Sequence, residues 1–251
     1  MPGDPHTPPL DQLRGGYRLR FAQGERDLDA VQRLRFEVFN LEIGEGLAES
    51  HLDGRDRDRF DAQCQHLMIE EAASGVAVGT YRLQVAAEAA AKEGLYSAGE
   101  FDLSRLPAAF FDQAVELGRA CITRPHRDTR VLGLLWKGLA TYMIWNRKRR
   151  LFGCNSLTSQ DPADGLRLWQ QLQDGGHAHA DLRVEPLPGL ACLGQASDHP
   201  VEVPTLFGIY LRYGSKVLGP PAIDRDFGTI DFLTTLDLAL LDPRVLEDFA
   251  R

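Results

Sequence analysis

The chain has 251 residues, 43% hydrophobic and 25% charged, enough apolar material for one large globular core. Lys+Arg 28 against Asp+Glu 36 gives a net charge of −8, which excludes a nucleic-acid binder that works through global charge. No apolar run approaches the roughly 18 to 20 residues of a membrane span, the polar, proline-rich Met1 to Pro9 holds no secretory core, and four scattered cysteines form no disulfide framework, so a reducing cytoplasm is expected.

Residues 1–16 carry Pro2, Pro5, Pro8, Pro9 and Gly15, the composition of a flexible tail. Tyr17 to Phe21 alternates as a strand does. Asp27 to Leu41 spaces Val31, Leu34, Val38 and Leu41 by three and four, an amphipathic helix with Asp27 near its N-cap. Gly44 to Gln63 is a long charged loop. His66 to Glu70 and Val76 to Val85 flank Ala73-Ser74-Gly75 as a hairpin, and Ala87 to Lys92 suits a short helix.

Ala114 to Ile122 reads as a buried strand interrupted by Gly118, and Val131 to Trp145 as a buried helix ending at the cationic Arg147, Lys148, Arg149 and Arg150. A strand from Leu151 to Thr158 and a helix from Pro162 to Leu172 follow. Gly175 to Pro204 is linker in composition, Leu206 to Tyr213 a short helix, and Gly228 to Leu236 a late strand. These elements make an α/β (α+β) mixed sheet, with a core over residues 17–174 and a C-terminal extension over 175–251 packed on it.

Charged residues inside apolar elements need partners, because burying an unpaired charge is costly. Glu116 and Arg119 in AVELGRACI, Arg82 in VAVGTYRLQV and Arg35 on the first helix all pose this demand. Strict alternation would send Glu116 and Arg119 to opposite faces, and a bulge near Gly118 would bring them to one. One reading is a purely structural network joining Arg35, Asp58, Asp61, Arg82, Glu116 and Arg119; the other is a functional site.

The segments LRFEVF (34–39), DRDRFDAQCQHL (56–67), VGTYRL (78–83), GEFDLS (99–104), ELGRACI (116–122) and PPAIDRDFGTIDFL (220–233) together resemble the haemolysin-like, ornithine-lipid-type N-acyltransferases, GNAT relatives akin to the acyl-homoserine-lactone synthases. The resemblance implies a GNAT-like, largely antiparallel central sheet flanked by helices. It places the family's charged pattern on Arg35 and Phe39, Asp58 and Asp61, Arg82, then Glu116 and Arg119. The implied activity moves a plain or 3-hydroxylated acyl chain from acyl carrier protein to the α-amine of an amino acid such as ornithine.

In that chemistry a protonated amine must lose a proton to become a nucleophile, and Glu116, beside Arg119, is the expected base. A backbone N–H near Ile122 is the expected oxyanion donor. The donor loop falls on Arg127, Arg130, Val131 and Gly133, leading into a helix. With Arg130 where the superfamily has a glycine, acyl-phosphopantetheine on the carrier protein fits better than acyl coenzyme A.

An acidic carrier needs a basic dock, expected from Lys137 and Arg147 to Arg150; the same cluster could touch an anionic membrane, so the expected place is the cytoplasm with peripheral contact at the inner membrane face. No metal, permanent cofactor or nucleic acid is expected, since Cys64/His66 and His177/His179 offer two ligands each. A homoserine-lactone-type synthase and a non-catalytic acyl-binding module remain the alternatives.

Overall fold

The computed structural model describes residues 4–241. Strand β1 (Asp11–Arg14) pairs with β2 (Tyr17–Phe21), whose Tyr17, Leu19 and Phe21 turn inward while Arg18 stays exposed. Ahead of β1, Trp145 Nε1 donates to Pro5 O (2.8 Å) and Asn146 Nδ2 to His6 O (2.9 Å). The expected flexible tail is therefore corrected for residues 4–16, which are held by a strand ladder and docked carbonyls; residues 1–3 lie outside the described residues.

Helix α1 (Gly24–Phe36) begins after Gln23, three residues earlier than the apolar spacing predicts, and runs on as a π-helical stretch, Glu37–Ile43. Asp27 lies in its first turn, accepting from Gln23 N (2.7 Å), rather than at the cap. The expected hairpin is present as β3 (Gln65–Glu71) and β4 (Ala77–Val85), followed by the short α2 (Ala86–Ala89), β5 (Phe101–Asp102) and α3 (Ala108–Asp112). Next come β6 (Ala114–Ile122), α4 (Thr129–Trp145), β7 (Arg150–Leu157) and α5 (Pro162–Asp174). The last part holds β8 (Glu185–Pro186), α6 (Thr205–Arg212), β9 (Lys216–Val217), β10 (Ala222–Asp224) and β11 (Thr229–Asp237).

Among the described residues nine strands form one sheet in the order β1-β2-β3-β4-β6-β7-β11-β10, with β9 also on β11. Every pairing is antiparallel except β6 with β7. This is the expected mixed, largely antiparallel architecture, with one change: β11 pairs with β7 from Ile230 opposite Leu157 to Asp237 opposite Arg150. The segment after residue 175 thus completes the central sheet instead of packing against a finished core; residues 242–251 lie outside the described residues.

Apolar side chains cover both faces. On one, Val131, Leu135 and Leu139 of α4 pack on Leu67, Tyr81 and Leu83, while Leu168 of α5 and Phe207 of α6 pack on Ile230 and Phe232. On the other, Phe101, Phe110, Phe152 and Leu233 cluster beneath α2 and α3, and Leu34, Val38 and Phe39 beneath the first helix.

The sheet opens at its one parallel seam. Pairing of β6 with β7 stops after Ala114–Glu116 meets Arg150–Phe152, and the strands then part. On β6, Gly118 faces Arg82 and Cys121 faces Thr80, so Arg119 and Ala120 together oppose Tyr81: a bulge, with Arg119 in the left-handed region at φ 50°. On β7, Gly153 passes so near β6 that a Cβ would lie 2.2 Å from Leu117 O. Gly153→Ala should therefore destabilise the fold by about 1–3 kcal/mol, seen as a lower urea midpoint, because the obstacle is backbone and cannot swing away.

Candidate active site

The demand for partners made by arginines in apolar strands is met from the charged loop. Arg35 Nη1 and Nη2 donate to the two carboxylate oxygens of Asp61 (2.9 and 2.7 Å), and its Nε lies 3.2 Å from Asp56 Oδ2. Arg82 Nη1 donates to Asp58 (2.6 Å) and Asp61 (2.9 Å). Arg119 Nη2 donates to Asp58 Oδ2 (3.1 Å), while its Nε sits 3.3 Å from Asp56 Oδ2. Three arginines and three aspartates thus share one buried lattice in which every cation touches two acids.

Electrostatics follow the geometry. Burial works to raise the Asp61 and Asp58 carboxyls, yet Arg35 and Arg82 around Asp61, and Arg82 and Arg119 around Asp58, outweigh it and hold both below the usual carboxylate range. His66 Nε2 donates to Asp61 O (3.1 Å), and burial with the nearby Arg35 charge pushes the imidazole down to about 4. Asp56 is the member sequence reasoning overlooked. Its signal was the D-R-D-R-F-D run itself, in which only its second and third acids were singled out.

The bulge does bring Glu116 and Arg119 to one face, both beside Tyr96, but they do not pair with each other. Glu116 is held by four donors: Gln84 Nε2 (2.6 Å) and Tyr96 N (3.0 Å) on one oxygen, Ser97 N (2.9 Å) and Ser97 Oγ (2.6 Å) on the other. It pins the turn Tyr96–Gly99 over the sheet. Arg119 lies flat between aromatic rings, 4.9 Å from the Tyr96 centroid and 4.4 Å from that of Phe227, which also packs edge-on to Phe39 (5.2 Å).

A cavity of about 240 Å³ runs through the parted seam. Alternation along the strands gives it two unlike halves. Tyr81, Leu83, Leu117, Leu206 and Phe207 line the half under α6; Arg82, Glu116, Arg119, Tyr96, Glu45 and Asp231 line the half under the charged loop. Of the residues expected to bind substrate, Phe39 and Arg82 reach this space. Arg35, Asp58 and Asp61 do not: Arg35 is 0% exposed and sealed behind the other two, so these three act on the cavity through Arg82 and Arg119.

The donor loop is brought to the open end of the seam. Ile122 faces Gly79, and Thr123 N donates to Val78 O (3.0 Å), so the Ile122 N–H points away from β4 toward the side that β7 has left. Ile122 O accepts from Arg127 Nε (2.9 Å), and Arg127 also pairs with Glu42. At the start of α4 the Asp128 carboxylate accepts from Arg130 N and Val131 N (both 3.0 Å), and Arg130 Nη2 folds back on it (2.7 Å). Two amides that would greet a phosphate are thus already taken. Arg130, Gly133 and Lys137 instead line a surface groove with Arg14 and Thr129.

The cluster from Arg147 to Arg150 is not part of this loop. It sits at the far end of a 17-residue helix, about 25 Å away at 1.5 Å per residue. There Lys148 Nζ donates to Asp112 O (2.7 Å), and Arg149 and Arg150 pair with Asp237 (3.4 and 2.8 Å).

A mixed, largely antiparallel sheet parted at a parallel seam and flanked by helices is the GNAT fold. The family model described as an acetyltransferase (GNAT) domain matches residues 34–137. Among solved structures, FeeM, an N-acyl amino acid synthase from uncultured soil microbes, superposes with a TM-score of 0.57 at 10% identity, covering 90% of this chain and 93% of FeeM, a likeness of fold. The L-ornithine N(alpha)-acyltransferase of Agrobacterium fabrum (strain C58) is 31% identical over 249 residues, 92% of this chain and 84% of that protein. The enzyme of the same name from Brucella abortus (strain 2308) is 32% identical over 250 residues, 92% of this chain and 88% of that protein. The chain belongs to the L-ornithine N(alpha)-acyltransferase family.

The lattice makes stability depend on pH in a defined window. The folded His66 value, about 4, lies below the unfolded value of about 6.5, so the unfolded chain takes up the proton first as pH falls. The His66 contribution is full above pH 6.5 and declines toward pH 4, by roughly 3 kcal/mol at most; Asp58 and Asp61 add their loss at lower pH, while the raised Glu100 and Asp231 carboxyls act in the opposite sense. Urea midpoints across pH 4–7 should therefore show the His66 contribution as the difference between the wild type and His66→Gln, a gap that narrows as pH falls toward 4.

Proposed function

We propose that the chain transfers an acyl group, plain or 3-hydroxylated, from an acyl carrier protein thioester to the α-amine of L-ornithine, forming an N-acyl amino acid of the lyso-ornithine-lipid type. The observation that carries this reading is the two-sided cavity. An acyl chain suits the apolar half under α6, a zwitterionic amino acid suits the polar half, and the reacting carbon and nitrogen meet in the seam between them. The names of the relatives supply the acceptor.

In the reaction the deprotonated amine attacks the thioester carbonyl, the tetrahedral oxyanion collapses, the carbon–sulfur bond breaks and the carrier thiol leaves with a proton. The Ile122 N–H, directed into the seam, is the proposed oxyanion donor. Glu116 is the proposed acceptor of the amine's proton in the loaded site, where the amine or a water takes the place of one of its four donors. Arg119 offers its charge to the acceptor's carboxylate, and Arg35, Asp58 and Asp61 position it.

A carrier-borne donor is favoured because Asp128 occupies the start of α4. A single phosphate can then be met by side chains of the groove at Arg130, Gly133 and Lys137, whereas a pyrophosphate would have to wrap an occupied helix end. The Arg147 to Arg150 segment, far from that groove and beside the exposed Ile144 and Trp145, suits an anionic bilayer surface better than the carrier.

Purified protein incubated with acyl carrier protein thioesters, or with acyl coenzyme A, and a panel of amino acids should give N-acyl-ornithine from the carrier, read by product mass. Glu116→Gln should lower kcat by about 10²-fold or more. No product from any amino acid would overturn the reading; product from coenzyme A alone would overturn the donor; unchanged turnover in Glu116→Gln would remove that residue from the chemistry.

A further inference from the structure

At the polar half of the cavity lies a second group of buried acids, which, unlike the lattice, contains no arginine. Asp231 on β11 and Cys154 on β7 line the cavity, and Glu100, just ahead of β5, lies so close to them that the ligand atoms of all three are within 4.8 Å of one another. Glu100 is 6% and Asp231 3% exposed. Asp231 accepts from Thr229 Oγ1 (2.9 Å), and Tyr96 Oη donates to the neighbouring Asp224 (2.8 Å). Glu100 Oε2 accepts from the Cys154 thiol at 3.6 Å, the Glu100 and Asp231 carboxyls share a hydrogen bond, and Glu100 Oε1 is buried with no hydrogen-bond partner.

Among the described residues no lysine, arginine or histidine forms an ion pair with Glu100, Asp224 or Asp231, although each acid of the lattice has two. Burying neighbouring carboxylates without a counter-ion is unfavourable. Burial, with each acid's neighbours, holds both Glu100 and Asp231 above the usual carboxylate range, the direction expected of acids buried without a cation beside them. A soft metal is a poor candidate, since burial and the same acids hold the Cys154 thiol protonated.

We propose that Asp231 and Glu100, with Asp224 beside them, form the subsite for the terminal ammonium of a diamino-acid acceptor. This deepens the acceptor assignment above and rests on it. The ammonium carries three N–H donors and no acceptor; Asp231 presents a carboxylate to the cavity, Glu100 behind it keeps an oxygen without a partner, and no cation is paired with either. Glu116, Tyr96 and Asp231 line the same cavity, so an acceptor whose α-amine meets Glu116 can turn its second amine toward Asp231. The acids therefore select the acceptor, while Glu116 and Arg119 act on its α-carbon end.

The test compares L-ornithine with L-2-aminopentanoate, which has the same carbon chain without the terminal amine, using one acyl carrier thioester. In the wild type, kcat/KM should favour ornithine. Asp231→Asn should cut that ratio by about 10- to 100-fold, mainly through KM, and Glu100→Gln should act in the same direction. Calorimetry on the wild type, independent of turnover and of variant folding, should detect ornithine binding well ahead of 2-aminopentanoate.

Equal activity and binding for the two acceptors in the wild type would overturn the subsite while leaving acyl transfer intact. So would a ratio unmoved in both variants. A wild type that acylates neither acceptor nor any other amino acid would overturn the acyltransferase reading itself, and the subsite with it.

Discussion

Three arginines buried against three aspartates govern this structure. Each guanidinium is taken out of water and touches two carboxylates, so the removal of any one leaves a charge uncompensated in the interior, a change that typically costs about 3–5 kcal/mol. The lattice also ties together parts of the chain far apart in sequence: the first helix through Arg35, the charged loop through Asp56, Asp58 and Asp61, and two central strands through Arg82 and Arg119. Arg119 shows what this achieves. A non-glycine residue at φ 50° stores roughly 1–3 kcal/mol of strain, and two ion pairs and two aromatic faces hold it there. With Arg119 fixed, the bulge persists, β6 veers from β7, and the seam stays open.

The open seam is what lets one sheet present two chemistries to one cavity. Alternation along β4 and β6 sends Tyr81, Leu83 and Leu117 to the helix-covered face and Arg82 and Glu116 to the loop-covered face. In a continuous sheet those faces never meet. Here β11 closes the far side by pairing with β7, adding Asp231 to the polar half and Phe232 to the packing beneath α6. The late segment of the chain is thus as much a part of the site as the central strands are.

Much of this was legible in the sequence because the cost of buried charge is local and large. Glu116 and Arg119 in an apolar strand, Arg82 in another and Arg35 on a helix signal partners before any partner is known, and the nearby acid-rich loop supplies them. The bulge, too, could be anticipated, from Gly118 and the odd separation of two charged residues. What local pattern could not show was pairing at a distance. The Asp11–Arg14 segment, flanked by prolines and glycines, has the composition of a tail yet forms a strand because β2 offers it an edge. The first helix starts at Gly24 instead of Asp27, and a π-helical stretch carries it past Leu41, where the apolar spacing ends, to Ile43. The strand containing Asp231 reads as an ordinary alternation, T-I-D-F-L, and nothing in it reveals that Glu100, more than a hundred residues earlier, will lie against that acid. Glu116 was expected beside Arg119 and instead anchors the backbone at Tyr96 and Ser97, a contact with no sequence signature.

The measurement that bears most directly on the central claim is a crystal structure with a non-hydrolysable acyl-phosphopantetheine analogue and L-ornithine bound together. The predicted result puts the carbonyl carbon in the gap between residues 117–120 and 153–156, the alkyl chain beneath α6 and the amino acid on the side of Arg119, with the bulge unchanged. An acyl chain lying outside the seam, or an Arg119 that leaves the lattice and lets β6 close onto β7, would contradict it.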